Sequence, residues 1–591
     1  MGDSAASKMR APAVEGWFTI EDEPALVGTR CRACGSVFFP PETALCRNPR
    51  CASTELDETR LSRRGRIWSY TDARYQPPPP YIPRREPFEP FALAAVELEG
   101  EGLVVLGQVA DGYGVHDLAV GTPVELVVEP LYDDGDTTYL TWRWKPLRGR
   151  AGRPVRSEDA WEFAAERTHT ARPPDDAATA SRRQGALSAQ VPRRWVVSDV
   201  VVLGVGMHPW GKWGRSFVSY GVQAARAALA DAGIDWADVD LVVGGETVRN
   251  GYAGYVAGAT FAQALGWSGA TVATAYAACA TGAQALDVAR ARILAGLTEV
   301  ALVVGADTTP KGFLAPNTGE RRDDPDWLRF RLLGMTNPAY FGLYARRRMA
   351  VHGATPDDFA LVKAKNSRHG LANPNARYRK AVTVDDVLAS PVVADPLHLL
   401  DICATSDGGA AVVLGSTAAA KRHGIDSPVR LRAVSTVTPT FPNTVIEMPN
   451  FATDPQGAVP PPERTFRDSI AHAAYEEAGL GAEDMSLAEV YDLSTALELD
   501  WYENIGLCKP GEAERLLRDG DTTIGGRIPV NPSGGLACFG EAVPAQALAQ
   551  VCEVVDQLRG RAPGRQIEGA RAGITANQGL FGHGSSVILS L

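Results

Sequence analysis

The central motif of the chain is Tyr276-Ala-Ala-Cys-Ala-Thr-Gly-Ala-Gln284, and a helix-compatible run follows it from Ala285 to Leu297. Apolar residues recur at helical spacing in that run, which predicts a helix beginning near Cys279. A thiol at a helix N-terminus faces unpaired backbone N–H groups and the positive end of the helix dipole, and both stabilise the reactive thiolate. The sequence therefore predicts a reactive cysteine. The alternative is a small buried hydrophobe, the commoner environment of a single cysteine.

Length and composition describe an ordinary globular chain. It has 591 residues, which implies about two to four domains. Its net charge of −11 argues against a general nucleic-acid or membrane partner. The N-terminus lacks the apolar core of a signal peptide, and no apolar run reaches the length of a membrane span. We therefore expect a cytoplasmic protein whose cysteines are reduced, catalytic or bound to metal.

Four of the nine cysteines lie close together near the N-terminus, at positions 31, 34, 46 and 51. A Cys-x-x-Cys pair followed by a second, wider pair is typical of a tetrahedral thiolate zinc site. Four protein ligands leave no open position, so the predicted role of zinc is structural. The predicted ligands are Cys31, Cys34, Cys46 and Cys51; the alternative is four unrelated cysteines in a polar loop.

The next segment has a strand pattern. Five short β-rich runs with glycine-rich punctuation predict a small OB-type barrel, at 65–71, 91–98, 102–109, 123–128 and 138–144. OB barrels often bind oligonucleotides, but these runs lack a basic stripe with interleaved aromatic residues, so nucleic acid is disfavoured. The proline-rich segment Pro77–Pro80 between two of the runs predicts a stiff surface loop.

The remainder of the chain alternates apolar strands with helices, which predicts an α/β fold with a mostly parallel sheet covered on both faces. A charged, proline-rich segment interrupts this alternation and predicts a helical insertion at one end of the sheet. We predict five regions: an N-terminal segment with the ribbon (1–59), the barrel (60–147), a linker (148–194), a first half (195–430) with an insertion at 308–395, and a second half (431–591).

Two family resemblances follow from these motifs. The ribbon and barrel resemble a companion domain found beside, or fused to, thiolase-type enzymes that act on acyl-CoA. The second module resembles the thiolase superfamily, especially its sterol-carrier and lipid-transfer branch, through four ordered motifs: Ala278-Cys-Ala-Thr-Gly, Ser406-Asp-Gly-Gly-Ala-Ala, Glu489-Val-Tyr-Asp and Arg527-Ile-Pro-Val-Asn-Pro-Ser-Gly-Gly-Leu. The resemblance implies a duplicated βαβαβ fold, a homodimer, and chemistry on carbon–carbon bonds next to a coenzyme A thioester.

Departures from the family pattern concern the groups that assist the cysteine. Tyr491 stands where the family has one histidine, and Glu541 stands where it has a second. The C-terminal family cysteine that serves as base is also absent, and His583 in a glycine-rich turn is a candidate replacement. Loss of one oxyanion donor typically costs about a hundredfold in rate. Ordinary thiolysis should therefore be impaired unless the pocket has been rebuilt.

Steroid side-chain aldolases of the lipid-transfer type replace these histidines with tyrosines, and they pair with the same companion domain. By this resemblance, Glu541 is predicted to act as base and Tyr491 as donor to the substrate oxygen. The alternatives are a bonded core tyrosine and an exposed turn glutamate. Gly534, Gly535 and Cys538 are predicted to line the substrate site. Arg346 is predicted to meet the phosphates of coenzyme A, with a solvated helix face as the alternative.

The leading hypothesis is retro-aldol cleavage of a bulky, steroid-like β-hydroxyacyl-CoA, supplied by an upstream hydratase. One rival is an acyltransferase that depends on Cys279, either a thiolase or a synthase that forms carbon–carbon bonds. The other rival is a non-catalytic acyl or lipid carrier with a degenerate site.

Overall fold

The computed structural model describes residues 8–147, 199–245, 256–312, 315–316, 319–426, 428–442, 451–454, 466–579 and 583–591. The predicted linker at 148–194 lies outside the described residues. Among the described residues, no helix is both long and apolar enough to cross a bilayer.

The ribbon is a small three-stranded sheet with strand order β3-β2-β4. Its strands are β2 (Val27–Cys31), β3 (Val37–Phe38) and β4 (Leu56–Arg60), and both pairings are antiparallel. Phe38 is fully buried beside Cys31 and Cys46. This apolar contact is small, so the ribbon has little hydrophobic core of its own.

The barrel contains the five strands that the sequence predicts. Pairing runs β5-β6-β7-β9-β8 and closes through β8 and β5, and an extra N-terminal strand β1 lies parallel to β9. Trp142 and Trp144 of β9 fill the interior and are completely buried. The strand bounds are β1 Met9–Pro12, β5 Arg64–Ala73, β6 Phe91–Leu98, β7 Val104–Val109, β8 Pro123–Asp134 and β9 Thr137–Pro146.

The second module is built on a nine-stranded sheet of order β12-β11-β13-β16-β10-β17-β20-β19-β18. Its strands are β10 Val200–Gly211, β11 Leu241–Gly245, β12 Thr271–Ala275, β13 Val300–Thr308, β16 Asp407–Ser416, β17 Val429–Val437, β18 Leu487–Val490, β19 Ala572–Gly579 and β20 His583–Ser590. Strand β10 meets β17 in the middle, where the two halves join antiparallel.

The two halves repeat one topology in mirrored order. In the first half the successive strands lie in the order third, second, fourth, fifth, first. In the second half the order is first, fifth, fourth, second, and Val530 forms a parallel bridge to Ala488 at the place of the third strand. The duplicated α/β architecture that the motifs imply is therefore present.

The predicted strand direction was wrong. Strand β11 is parallel to β12 and β13, and β18 is parallel to β19, but the other neighbouring pairs in the described sheet are antiparallel. The last strand of each half, β16 or β20, runs antiparallel to both of its neighbours. Strand β16 follows the insertion, and β20 follows β19 directly. Continuous apolar strands indicate burial on both faces, but they do not determine direction.

Helices cover both faces of the sheet and form most of the insertion between β13 and β16, which also contains the short antiparallel pair β14 Val392–Ala394 and β15 Leu397–His398. They are α1 Phe217–Ala232, α2 Ala257–Leu265, α3 Thr281–Leu294, α4 Pro325–Leu333, α5 Asn337–His352, α6 Pro356–His369, α7 Val384–Leu388, α8 Thr417–Arg422, α9 Phe466–Ala478, α10 Thr495–Asn504, α11 Ala513–Arg518, α12 Gly535–Phe539 and α13 Gln546–Leu558. Helices α3 and α13 share one apolar core with the sheet.

The insertion joins the barrel to the second module. Helices α4 and α5 contribute to the same apolar cluster as the barrel strands. Ser69 Oγ donates to the Leu343 carbonyl at 2.7 Å, and Gln108 Nε2 donates to the Leu333 carbonyl at 3.1 Å. Because these bonds are buried, the barrel is held in a fixed position against the insertion.

Candidate active site

Cys279 lies in a 3-10 turn, Ala278–Ala280, directly before α3. The helix predicted to begin near Cys279 therefore does begin there. The turn is held by a hydrogen bond from the Ala277 N–H to Thr281 Oγ1 at 2.9 Å. Ala278 has a φ of 44°, a left-handed conformation that is strained for a residue other than glycine. The strain is local to the residue that precedes the thiol.

Three predicted site residues meet at one point. Cys279 Sγ donates to Glu541 Oε1 at 3.1 Å across 262 positions of sequence, and the Tyr491 hydroxyl donates to the same oxygen at 2.9 Å. Tyr491 directly follows β18, and Glu541 follows α12 after one glycine. All three side chains are buried, with exposures of 2%, 2% and 5%. A thiol and a phenol therefore share one carboxylate oxygen inside the protein.

The electrostatics of this triad favour neutral donors. Burial and then the negative charge of Glu541 raise the pKa of the Cys279 thiol well above its ordinary value. Burial, Cys279 and Glu541 likewise raise the pKa of Tyr491. The helix dipole contributes only about 0.3–1 kcal/mol, whereas full burial shifts a pKa by up to about 3–5 units, each worth about 1.4 kcal/mol. Burial and the charge of Glu541 therefore oppose the thiolate that the helix dipole favours, and the reactive role of Cys279 stays a prediction.

The segment around Tyr491 is fixed by Asp492. The Asp492 carboxylate accepts the N–H groups of Leu536 at 2.7 Å and Ala537 at 3.1 Å. Gly535 has a φ of 60°, and a Cβ there would lie 2.5 Å from Asp492 Oδ2. Gly534 makes a similarly close approach, since a Cβ would lie 2.8 Å from the Gly370 backbone. Gly534 and Gly535 therefore have a packing role: without side chains, they let the backbone lie close to Gly370 and Asp492.

A buried ionic network lies behind the triad, and the sequence reasoning missed it. Lys365 Nζ lies 2.6 Å from Glu498 Oε1, and both side chains are fully buried. Asn531 Nδ2 donates to Glu498 Oε2 at 2.8 Å, and Asn531 Oδ1 accepts the Val490 N–H at 2.8 Å, one residue before Tyr491. The insertion helix α6 thereby supports the end of β18. No sequence signal links Lys365 to Glu498, because they lie on separate helices.

Glu541 is held by its own backbone. Its N–H donates to the Ala404 carbonyl at 2.6 Å, and its carbonyl accepts the Ser406 N–H at 2.8 Å. These bonds join Glu541 to the segment that leads into β16. Cys403 lies in the same segment and was also missed, although it stands three residues before the Ser406 motif.

A cavity of about 240 Å³ opens beside the triad. Of the triad, Glu541 lines this cavity, and Cys279 and Tyr491 are not among its lining residues. Most lining side chains are apolar, and they come from the barrel, the insertion and the segment before β16. The lining residues include Tyr75, Pro78, Phe330, Phe341, Cys403 and Glu541.

The barrel supplies part of the cavity wall. The Tyr75 hydroxyl donates to Thr336 Oγ1 at 2.8 Å, and Pro78 lines the same cavity. The loop Pro77–Pro80 was predicted to be a surface loop, and Pro79 is exposed, but Pro77 and Pro80 are buried. The Pro80 carbonyl accepts a hydrogen bond from Arg331 of the insertion, a contact that sequence alone does not show.

The other predicted residues lie further from Glu541. The His583 ring hydrogen-bonds the Ala277 carbonyl, which places it on the Cys279 turn but not in the cavity lining. Cys538 Sγ donates to the Asn366 carbonyl at 3.3 Å and is buried. Arg346 pairs with Asp395 and stacks 4.7 Å from the centre of the Tyr70 ring. Arg346 therefore lies at the boundary with the barrel, and its contact with coenzyme A stays a prediction.

The four ribbon cysteines form a separate site. Their sulfur atoms all lie within 4.8 Å of one another, with Cys31 and Cys51 3.6 Å apart and Cys34 and Cys46 3.5 Å apart. Tetrahedral zinc with Zn–S bonds of about 2.3 Å places its sulfurs about 3.8 Å apart. The residues present therefore fit one zinc ion with four thiolate ligands.

Comparison with known families agrees with this architecture. Residues 200–418 match the thiolase N-terminal domain, and residues 462–590 match the thiolase C-terminal domain-like model. Residues 18–57 match the ChsH2 rubredoxin-like zinc ribbon domain, and residues 58–129 match the ChsH2 C-terminal OB-fold domain. The chain belongs to the thiolase superfamily. Its thiolase module is fused to a ChsH2-type ribbon and barrel.

This thiolase-superfamily chain aligns with most of the length of individual relatives. Benzoylsuccinyl-CoA thiolase subunit BbsB of Thauera aromatica is 32% identical over 370 residues, 62% of this chain and 91% of the relative. Acetyl-CoA acetyltransferase of Methanothermobacter thermautotrophicus is 32% identical over 395 residues, 66% of this chain and 98% of the relative. An Ltp2-ChsH2(DUF35) aldolase structure aligns with a TM-score of 0.55 at 26% identity, covering 67% of this chain and 98% of that chain. These similarities support a thiolase-superfamily enzyme that acts on carbon–carbon bonds of acyl-CoA.

Proposed function

We propose that this enzyme cleaves a β-hydroxyacyl-CoA by a retro-aldol reaction. The observation that carries the proposal is the placement of Glu541, which lines the cavity and whose Oε1 accepts hydrogen bonds from Cys279 and Tyr491. A retro-aldol reaction needs a base for the β-hydroxyl group and does not need a nucleophilic thiol. The raised pKa of Cys279 agrees with such a thiol.

In the proposed reaction, Glu541 removes the proton of the β-hydroxyl group. The bond between Cα and Cβ breaks, a carbonyl product forms, and the electron pair passes into the thioester enolate. Tyr491 donates a hydrogen bond to substrate oxygen when the substrate displaces its present contact with Glu541. Donors of this kind, held in place in a site without water, stabilise charge that develops in the transition state.

The cavity limits where the acyl group lies. At about 240 Å³ it is smaller than the roughly 300–1,000 Å³ typical of sites for drug-sized ligands. A steroid-like substrate would therefore place only its side chain beside Glu541, with the ring system beyond the cavity. The apolar walls formed by Phe330 and Phe341 suit a hydrocarbon side chain.

The second candidate is acyl transfer through Cys279. The 3.1 Å contact between Sγ and Glu541 Oε1 favours it, because a general base activates a thiol at this distance. The named activities of the thiolase relatives also favour it. In this reaction Glu541 would take the thiol proton, and the thiolate would attack a β-ketoacyl-CoA.

Turnover and intact-mass measurements separate the two candidates. The lyase is supported if the protein cleaves a panel of 3-hydroxyacyl-CoA thioesters, Cys279→Ala keeps that activity, and Tyr491→Phe loses it. Acyl transfer is supported if acyl-CoA leaves a covalent adduct that disappears in Cys279→Ser. If every thioester gives neither turnover nor adduct, both reactions are excluded and a carrier role remains.

Three further features belong to the proposal. The ribbon holds one structural zinc ion, since its four sulfurs fit that geometry.

The chain forms a homodimer through the edge strand β12, where Val272 is 40% exposed and neighbouring Trp267 is 68% exposed. An upstream hydratase supplies the substrate, because adding water to an α,β-unsaturated acyl-CoA produces the required β-hydroxyl group.

A further inference from the structure

Cys403 lies where a second acid–base group would meet the substrate. Its N–H donates to the Leu493 carbonyl at 2.9 Å, two residues after Tyr491, and the next residue, Ala404, accepts the Glu541 N–H. The adjacent Ile402 forms a bridge to Ser494. Backbone bonds on both sides therefore fix Cys403 between the Tyr491 and Glu541 segments. Unlike Cys279, Cys403 lines the cavity together with Glu541.

The proposed cleavage leaves an enolate that needs a proton on Cα. In the proposed reaction Tyr491 is already assigned to the substrate oxygen. Cys279 is hydrogen-bonded to Glu541 Oε1 and does not line the cavity, and the His583 ring is hydrogen-bonded to the Ala277 carbonyl. Among the described side chains that line the cavity, the titratable groups are Glu541, Cys403 and the phenol of Tyr75. The Tyr75 hydroxyl is hydrogen-bonded to Thr336 at the barrel end. Cys403 is therefore the acid best placed beside Glu541.

Burial and the charges around Cys403 favour its protonated form. Burial, Glu541 and Asp492 raise the pKa of the Cys403 thiol well above its ordinary value, while Lys363 opposes them. A thiol in these surroundings holds its proton until a strong base such as an enolate carbon accepts it. The geometry supplies the position and the local charges supply the protonation state.

We propose that Cys403 is a catalytic acid that donates its proton to Cα of the thioester enolate. This proposal rests on the proposed lyase function. Glu541 carboxylate first takes the β-hydroxyl proton, the Cα–Cβ bond breaks, and the carbonyl product leaves. The Cys403 S–H bond then breaks as the new Cα–H bond forms, which yields acyl-CoA and a thiolate. The protonated Glu541 returns one proton to that thiolate, so both groups are restored without an oxidant or reductant.

The half-reaction on the acyl-CoA product tests this role without the second product. Wild-type enzyme in D₂O should exchange the Cα hydrogens of acetyl-CoA or propionyl-CoA for deuterium, and mass spectrometry measures this exchange. General acid–base catalysis typically contributes about 10²–10⁴-fold, so Cys403→Ala should slow the exchange by at least about a hundredfold. Cys403→Ser keeps the size of the side chain and should be similarly slow, because a hydroxyl is a poor acid. Cys508→Ala, at a half-buried cysteine outside the site, should exchange like wild type.

The outcomes distinguish the two proposals. If wild type cleaves 3-hydroxyacyl-CoA and Cys403→Ala, folded by circular dichroism, exchanges Cα hydrogens within about twofold of wild type, Cys403 is not the acid. If wild type exchanges Cα hydrogens in a Cys403-dependent way but cleaves none of the panel, the acid role stands and the lyase function fails. If wild type neither exchanges nor cleaves, both proposals are overturned.

Discussion

The two cysteine sites of this chain differ in how they are built. Cys31 and Cys51 of the ribbon are 20 positions apart, and their sulfurs lie 3.6 Å apart, with Cys31 at the end of β2 and Cys51 in the segment between β3 and β4. Cys279 meets a carboxylate 262 positions away, on the other half of a duplicated fold. The ribbon thiols face one another, whereas the Cys279 thiol faces an acid that raises its pKa. The four ribbon thiols are therefore arranged to bind one metal ion, whereas the Cys279 thiol is arranged to exchange a proton with Glu541.

The largest expected effect is the loss of the ribbon on removal of zinc. Structural zinc contributes about 10–16 kcal/mol in zinc-finger peptides, and the ribbon has little apolar core to replace it. Chelation or Cys34→Ser should remove one zinc per chain and abolish hydrogen-exchange protection in β2–β4, while β13 and β16 remain protected. Cys508→Ser should keep full zinc content. Unchanged protection in β2–β4 without zinc would show that the ribbon folds on its own apolar contacts.

The second prediction concerns the base. Glu541→Gln keeps the shape of the side chain but removes the charge that accepts a substrate proton. We expect kcat for cleavage of the best 3-hydroxyacyl-CoA to fall about 10²–10⁴-fold, the usual contribution of general acid–base catalysis. The exposed Glu568→Gln is the matched control and should leave kcat unchanged. A loss of less than tenfold in Glu541→Gln would assign the base elsewhere.

The third prediction tests how closely the backbone approaches Asp492. Gly535→Ala adds a methyl group 2.5 Å from the Asp492 carboxylate at a φ of 60°. Gly560→Ala imposes a similar φ of 66° with no atom within 4 Å, so it isolates backbone strain. We expect about 1–2 kcal/mol of destabilisation in Gly560→Ala and clearly more in Gly535→Ala, with kcat reduced only in the latter. Equal losses in urea unfolding would contradict a role for Asp492 in holding the Tyr491 segment.

The fourth prediction concerns the protonation of Cys279. Because its pKa is raised, less thiolate is present at a given pH than in free cysteine, and alkylation near pH 8 should be slow. Glu541→Gln removes a negative charge, so the pKa of Cys279 should fall and alkylation at the same pH should rise about tenfold per pKa unit. Peptide mass spectrometry of iodoacetamide labelling over pH 7–10 measures this. An unchanged labelling profile in Glu541→Gln would show that Glu541 does not raise the pKa of Cys279.

The smallest expected effect is at the boundary of the barrel and the insertion. Ser69→Ala removes the buried hydrogen bond to the Leu343 carbonyl and should cost about 1 kcal/mol of unfolding free energy. Ser268→Ala, on an exposed loop, should stay within about 0.5 kcal/mol of wild type. If urea unfolding followed by tryptophan fluorescence gives equal values, the boundary contact does not stabilise the fold.

Patterns within short stretches were enough for much of the fold. The four ribbon cysteines, the five barrel strands and the helix after Cys279 each follow from spacing or periodicity. Tyr491 and Glu541 became candidates only through their family positions, because an isolated tyrosine or glutamate carries no local signal. Cys403 and the barrel wall of the cavity were missed, since neither belongs to a motif. The parallel direction of the sheet was mispredicted because burial alone does not encode strand direction.

The amino-acid sequence alone identified the ribbon, the barrel and most strands and helices, because metal spacing and hydrophobic periodicity act over a few residues. The three-dimensional fold was needed to show that Cys279 and Tyr491 share one oxygen of Glu541, and that Cys403 lines the same cavity as Glu541. Those contacts join distant segments whose approach depends on sheet order and on the docking of the insertion. Burial at that meeting point, together with the charge of Glu541, raises the pKa of both thiols, in opposition to the helix dipole at Cys279.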